Sequence, residues 1–178
     1  MEIVYGRAKS TKDLDQILDL QKRNLFANVS EDERQQEGFV TVSHSLELLE
    51  EMNAVCPHII AKHADTVVGY ALCMDPAFSQ EIEVLKPMFA EIDTVYPSGK
   101  RYIVMGQICI DKNFRKKGIF RMLYKTMREA TSADFGSIIT EVDARNQRSL
   151  QAHYSVGFSD LKLYLADDGR EWCLIQLQ

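Results

Sequence analysis

No run of this sequence is apolar for long enough to cross a bilayer. The longest apolar stretches are strand-length, far short of the ~20 residues a spanning helix needs. The opening MEIVYGRAKS carries early charges at Glu2 and Arg7, so no secretory leader is expected. Cysteine is scarce: Cys56, Cys73, Cys109 and Cys173 show no CxxC spacing. They are expected to be reduced core thiols, with no disulfide framework and no metal site. Positive charge is in the minority, 21 Lys and Arg against 26 Asp and Glu, and the net charge of −5 gives no overall pull toward nucleic acid or anionic membrane. Any anion site must then be a local basic patch. GxxxxGKS and GxGxxG are both absent, which argues against a nucleotide-binding domain. Repeats, low-complexity tracts and linkers are missing too.

What remains is ordinary globular material, 46% apolar and 26% charged over 178 residues. That predicts one soluble, cytoplasmic domain spanning 1–178. Strand-like runs fall at 2–8, 58–62, 66–74, 103–110, 137–142, 157–165 and 171–177. Ser10 followed by Asp13 starts a helix running to about 24–26, and Ser45 starts another with Leu46, Leu48, Leu49 and Met52 on its apolar side. Residues 28–38 have no periodicity and read as an irregular connection, followed by a brief extended piece at 38–42. His63-Ala64-Asp65 and Asp167-Asp168-Gly169 read as hairpin turns. Gly69, inside a strand, suggests a bulge or a close approach of backbone. Residues 82–92 have helical spacing interrupted by Pro87, so that helix should be short or kinked. The order predicts an α/β protein: a mixed sheet with helices on both faces, and a parallel crossover over 103–142.

That crossover is written IVMGQICIDKNFRKKGIFRMLYKTM, and the chain is organised around it. A buried strand runs into a short basic loop, and the loop opens into a helix with an apolar stripe of Ile119, Met122, Leu123, Thr126, Met127 and Ala130. Residues 115–120 place up to six backbone amides at a helix N-terminus, with Arg115, Lys116 and Lys117 beside them. Orphan amides and the positive end of the helix dipole suit a phosphate group. On the strand, Ile108 and Ile110 point to one face, Gln107 and Cys109 to the other. Mid-strand Gly106 marks a bulge or a close approach, or, equally well when taken alone, is a glycine tolerated under a bulky neighbour. Alone, the basic run Arg115–Lys117 reads more readily as a solvated charge run than as a binding loop. The second telling stretch is EVDARNQRSLQAHYSVGF, at 141–158. Asn146 caps its helix, Gly157 closes it, and Asn146, Ser149 and His153 share one stripe, with Leu150 and Tyr154 expected on the core side.

RKKGIF and NQRSLQAHYSVGF together resemble the GNAT N-acetyltransferase superfamily. That family carries an Arg/Gln-x-x-Gly-x-Gly/Ala loop after its fourth strand and an Asn…Tyr/His…Gly-Phe helix after its fifth. Arg115 and Gly118 match the first motif; Asn146, His153 and Gly157-Phe158 match the second. The resemblance implies a GNAT-like fold and acetyl-CoA as co-substrate, without a metal. Backbone amides of Arg115, Lys116, Lys117, Gly118, Ile119 and Phe120 would hold the pyrophosphate. The edge at Ile108, Cys109 and Ile110 would bond the pantetheine arm as a further strand, and Asn146 would approach the same arm. The family's bulged fourth strand gives Gly106 a role. Lys116 and Phe120 stand where the family favours small residues. Their amides still serve if the side chains point away, as Phe120 can by lying over Tyr124 one turn on.

The implied reaction is direct transfer from the thioester to an amine in a ternary complex. A strand amide near Ile108 would polarise the carbonyl. His153 is the expected thiol-side acid, with Tyr154 as fallback. For the amine's base, Glu141, Gln107 through a water, and the acidic residues around Glu91 and Asp93 stay open. The acceptor, a small-molecule or protein amine, is not readable. Residues 26–46 would line its site, with Glu31, Asp32, Glu33 and Glu37 suiting a cation and Phe39 an apolar body. A non-catalytic acyl-CoA-binding module of the same fold is the alternative, and a homodimer is left open.

Overall fold

In chain order the strands and α-helices are β1 (Val4–Arg7), α1 (Thr11–Asn24), α2 (Leu46–Val55), β2 (Ile59–His63), β3 (Thr66–Met74), α3 (Lys86–Val95), β4 (Tyr102–Ile110), α4 (Ile119–Thr131), β5 (Ser137–Asp143), α5 (Gln147–Ser155), β6 (Ser159–Leu165) and β7 (Glu171–Leu177). This is a computed structural model, and it describes residues 2–31 and 39–178. The strands hydrogen-bond in the order β1-β2-β3-β4-β5-β7-β6, a mixed seven-stranded sheet. Among the described residues the order of strands and α-helices is the one expected from the sequence. The chain divides into two compact units, Met1–Cys73 with Gly106–Met127, and Met74–Met105 with Arg128–Gln178.

In the first unit, Ser10 is extended and its hydroxyl accepts the Asp13 amide at 3.3 Å, as expected of a cap. The Asp13 carboxylate accepts the Lys9 amide at 2.8 Å and pairs with Lys62 of β2. Leu14, Ile17 and Leu20 of α1 join Leu49 of α2, Ile60 of β2, Val67, Tyr70 and Leu72 of β3 and Cys109 of β4 in one apolar cluster. Val67 and Tyr70 would lie on opposite faces of a regular strand. They share one here because β3 bulges: Ala61 faces Gly69 while Lys62 faces Val67, leaving Val68 without a partner on β2. The expectation of a bulge beside Gly69 is met, and so is that of a close approach. A Cβ on Gly69 would stand 3.2 Å from Ile119 Cγ2 and 3.4 Å from the Cys109 carbonyl. α1 and α2 therefore cover the Tyr70 face of β3, and Ile119 of α4 covers the Gly69 face.

In the second unit, Pro87 falls in the first turn of α3, where its missing N–H costs nothing. It starts the helix after a 3₁₀ turn at Glu83–Leu85, so the expected interruption becomes a boundary. β4 and β5 run parallel, with Tyr102, Ile103 and Val104 opposite Ser137, Ile138 and Ile139. At the next residue the ladder gives way: the Met105 carbonyl accepts the Thr140 hydroxyl at 3.0 Å. Gly106 follows directly, consistent with a local interruption of pairing. β5, β7 and β6 are antiparallel neighbours, and Gly169 takes φ 79° in the hairpin turn. Among the described residues, no helix is long and apolar enough to cross a membrane.

Candidate functional site

The loop after β4 is anchored before it turns. Asp111 donates its amide to the Val68 carbonyl at 2.9 Å, and its carboxylate accepts the Asn113 amide at 2.9 Å and the Arg23 guanidinium at 2.6 Å. Burial pushes that carboxyl up, but Arg23, the Asn113 amide and Arg115 outweigh it and hold it below the usual range. A 3₁₀ turn at Lys112–Phe114 leads to Arg115, in extended conformation. Arg115 Nε donates to the Ile110 carbonyl at 3.1 Å and Nη2 to Asn24 Oδ1 at 2.7 Å. The guanidinium thus clamps the loop to the end of β4 and the end of α1. Lys117 Nζ donates to the Asn113 carbonyl at 2.8 Å and lies 5.1 Å from the Phe114 ring.

Lys116 (φ 61°) and Gly118 (φ 77°) both adopt the left-handed region. At Gly118 a side chain would meet nothing within 4 Å, so conformation rather than space favours glycine. Lys116 accepts the same backbone with a side chain attached, at about 1–2 kcal/mol. The first intrahelical bond of α4 runs from the Met122 amide to the Gly118 carbonyl, so the amides of Ile119, Phe120 and Arg121 precede it. Phe120 packs edge-on against Tyr124, centroids 5.1 Å apart, the arrangement expected if its side chain turns away from an anion. Ile119 is buried beneath; Lys116, Lys117 and Gly118 are exposed.

Along β4, Ile108 and Ile110 are half-buried, while Gln107 and Cys109 are buried. Burial pushes the Cys109 thiol up to about 12, so it is inert as a nucleophile. Gln107 proves to be a strut. Its Oε1 accepts from Gln21 Nε2 at 2.8 Å and from the Tyr70 hydroxyl at 2.6 Å, and its Nε2 donates to the Val42 carbonyl at 2.9 Å. Gln21 Oε1 accepts the His44 amide at 2.9 Å, which fixes Nε2 as donor and makes His44 Nδ1, 2.8 Å away, an acceptor. Burial pulls His44 down to about 4, so it is neutral. This network ties β4, α1 and β3 to the segment before α2. Gln21, His44 and Tyr70 were missed because nothing in their local spacing announces a contact made across the fold.

That segment was expected to line the acceptor site. Val40 bridges Leu25, and the exposed rings of Phe26 and Phe39 meet edge-on, centroids 4.9 Å apart. Asp32, Glu33, Glu37 and Gly38 lie outside the described residues.

In the second unit, Asn146 caps α5 as expected, its Oδ1 accepting the Ser149 amide at 3.0 Å. Asn146 is exposed, and among the described residues its Nδ2 donates to none. Gly157 takes φ 108°, while the Gly157 and Phe158 amides donate to Tyr154 and His153. The expected facing of this helix needs correction. Leu150 is buried, but its buried companion is His153, 3% exposed, and not Tyr154, which is half-exposed. Residues 150 and 153 are three apart and share a face; the Phe158 ring, 5.1 Å from the imidazole, completes its apolar surroundings. His153 Nδ1 lies 2.7 Å from the Ser149 carbonyl and so carries the proton. Burial pulls the ring down despite that bond. The Tyr154 hydroxyl donates to Asp160 Oδ1 at 2.7 Å, and this bond, with some burial, raises it to about 12.

Glu141 sits mid-strand on β5, half-buried, with its Oε2 accepting the Tyr164 hydroxyl. Burial pushes its carboxyl up to about 7, against the lowering effects of Tyr164 and Arg170. Glu91 of α3 is taken up by Lys162, which also donates to Thr94 Oγ1 at 3.1 Å.

The sequence matches the acetyltransferase (GNAT) family over residues 14–158. No curated protein matches it. Among solved structures it is similar to the ribosomal-protein-S18-alanine N-acetyltransferase from Escherichia coli (12% identity, TM-score 0.63, covering 99% of this chain and 93% of that one). It is also similar to yncA, a putative acetyltransferase from Salmonella typhimurium with its cofactor acetyl-CoA (15%, 0.65, 100% and 94%), and to Ard1 from Thermoplasma volcanium (13%, 0.65, 99% and 97%). Identities this low speak for the fold alone; the family match speaks for the chemistry. The chain belongs to the GNAT family and is an acetyl-CoA-dependent N-acetyltransferase.

Proposed function

We propose that this enzyme acetylates a primary amine, on a small molecule or a protein, by direct transfer in a ternary complex, and that residues 1–178 act as one cytoplasmic domain. The observation carrying the cofactor half is the loop into α4. Its main chain takes a left-handed turn at the exposed residues Lys116 and Gly118, and Phe120 lies on Tyr124. Amides of residues 115–120 would hold the pyrophosphate with the α4 dipole behind them, and Lys116 adds charge. Arg115 acts differently: its guanidinium holds the loop's shape from Ile110 and Asn24. Main-chain groups of Ile108, Cys109 and Ile110 would bond the pantetheine arm, and Asn146 Nδ2 would donate to it. Bound acetyl-CoA supplies an activated thioester, and no metal is assigned a part.

On the thiol side, the role falls to His153 through Nε2, since Nδ1–H is held by Ser149. Tyr154 is the weaker choice because its hydroxyl already donates to Asp160. Neither side chain is a ready acid at neutral pH, which favours a second reading: a binding module of this fold that turns over slowly or not at all. Titration calorimetry with acetyl-CoA tests the first step, and absence of heat at millimolar ligand sinks both readings. Release of free thiol across a panel of primary amines then separates enzyme from binding module. The same preparation, sized in solution, decides between monomer and homodimer.

A further inference from the structure

Lys116 holds a left-handed backbone (φ 61°) with a side chain attached, and such a conformation persists only where its surroundings impose it. Arg115, directly before it, is a place where that constraint enters. Its Nε donates to the Ile110 carbonyl at 3.1 Å, five residues back, but a single bond of this kind would not fix the plane of the guanidinium. A second point does so: Nη2 donates to Asn24 Oδ1 at 2.7 Å, across 91 residues of chain.

Asn24 is the last residue of α1 and is buried, 7% exposed. Its Nδ2 donates to the Leu20 carbonyl one turn back at 2.8 Å, and its own carbonyl accepts the Val40 amide at 2.9 Å. The Nδ2 bond decides which way the amide faces and turns Oδ1 toward Arg115. Asparagine is a poor helix former, and the side-chain oxygen does nothing for the turn it sits on. Its partner lies in the loop after β4. The neighbouring residue adds a parallel tie, Arg23 to Asp111 at 2.6 Å, at the start of the same loop. The Arg23 side chain is 57% exposed, so solvent screens that pair and leaves Asn24 the firmer anchor.

We propose that Asn24 is a positioning residue for the cofactor loop: by holding the Arg115 guanidinium it keeps the amides of residues 115–120 in the shape that receives a pyrophosphate. This rests on the cofactor reading above, and it assigns Asn24 no contact with the ligand. The loop is ordered before the anion arrives, so binding does not have to supply that ordering. Without the Asn24 oxygen the loop spreads over other conformations, and affinity falls in proportion to the fraction that stays competent. Affinity is then lost although no ligand contact has been removed. Asn24 and Arg115 act through one guanidinium, so their losses cannot add.

The test is titration calorimetry with acetyl-CoA on wild type, Asn24→Ser, Arg115→Met and the double variant. Serine can still bond the Leu20 carbonyl from its hydroxyl but is too short to serve Arg115, and Asn24→Leu replaces it if that variant does not fold. Asn24→Ser should bind acetyl-CoA about 5–50-fold more weakly than wild type, and the double variant no more weakly than Arg115→Met alone. With no ligand present, the Lys116 and Gly118 amide signals in ¹⁵N spectra should move in Asn24→Ser as they do in Arg115→Met, while those of β2 stay in place. Wild-type affinity in the Asn24 variant, losses that add in the double variant, or unmoved loop amides overturn this inference. Absence of wild-type heat at millimolar acetyl-CoA overturns the cofactor reading beneath it.

Discussion

Replacing Glu141 by glutamine should stabilise the fold, and by an amount that grows with pH. In the unfolded chain this carboxyl ionises near its ordinary 4.5; in the folded protein burial holds it protonated to about 7. Between those values the folded state keeps a proton that the unfolded state has released, so stability falls as pH rises through the window. Above it the deficit is complete. Each pH unit of separation is worth 1.36 kcal/mol, so the full cost is about 3 kcal/mol. Glutamine avoids it, since its amide oxygen accepts the Tyr164 hydroxyl without ever carrying charge. At about 2–4 °C per kcal/mol for a chain this size, Glu141→Gln should melt roughly 6–12 °C higher than wild type at about pH 8. At about pH 4, where both side chains are neutral, the two should melt together. The assay is thermal or urea unfolding of both proteins across this range, and the difference between them cancels every other titrating group. A difference that stays flat with pH would refute the reasoning, and so would a variant less stable at high pH.

Other substitutions probe the cofactor loop and the polar network. Arg115→Ala removes the bonds to Ile110 and Asn24, so it should cost about 1–3 kcal/mol in urea unfolding and weaken acetyl-CoA binding in calorimetry. Lys116→Gly relieves the left-handed strain but frees the unfolded chain by about 0.4–1 kcal/mol, so Tm should hardly move while the salt dependence of acetyl-CoA affinity shrinks. Gln107→Leu strands the Tyr70 hydroxyl and Gln21 amide in the core, and a loss of about 2–4 kcal/mol in unfolding free energy should result. His153→Phe should lower the single-turnover rate at saturating amine and Tyr154→Phe should not; the reverse pattern would move the thiol-side role to Tyr154.

The fold was legible because its elements carry their own local signals. Ser10, Ser45 and Asn146 cap helices by hydroxyl or amide groups three residues from the amides they accept, and sequence spacing alone places both partners. Gly157 and Gly169 mark backbone that needs a positive φ. Gly118 and the Asn146 helix made the loop interpretable for the same reason: their chemistry is held within a few residues of chain. Pro87 was recognised, but whether it breaks or begins a helix depends on which turn it joins, and Leu85 and Lys86 settle that through their packing and dihedrals.

Side-chain facing and proton affinity could not be read this way. His153 and Tyr154 are adjacent in sequence, and only the apolar wall of Leu150 and Phe158 decides that the imidazole turns inward while the phenol meets Asp160. Arg115 looked like charge for an anion until Asn24 and the Ile110 carbonyl claimed it. Gln107 and Glu141 both stood among candidate bases; contacts from α1, β3 and residue 42 make one a strut, and burial beside Tyr164 raises the carboxyl of the other. Local spacing along the chain settles the order of elements, the loop and the cap, because these depend on near neighbours. Which charges are spent, which rings are buried and which carboxyl resists ionisation follow from the folded packing, because desolvation and hydrogen bonding are set by residues brought together from far apart.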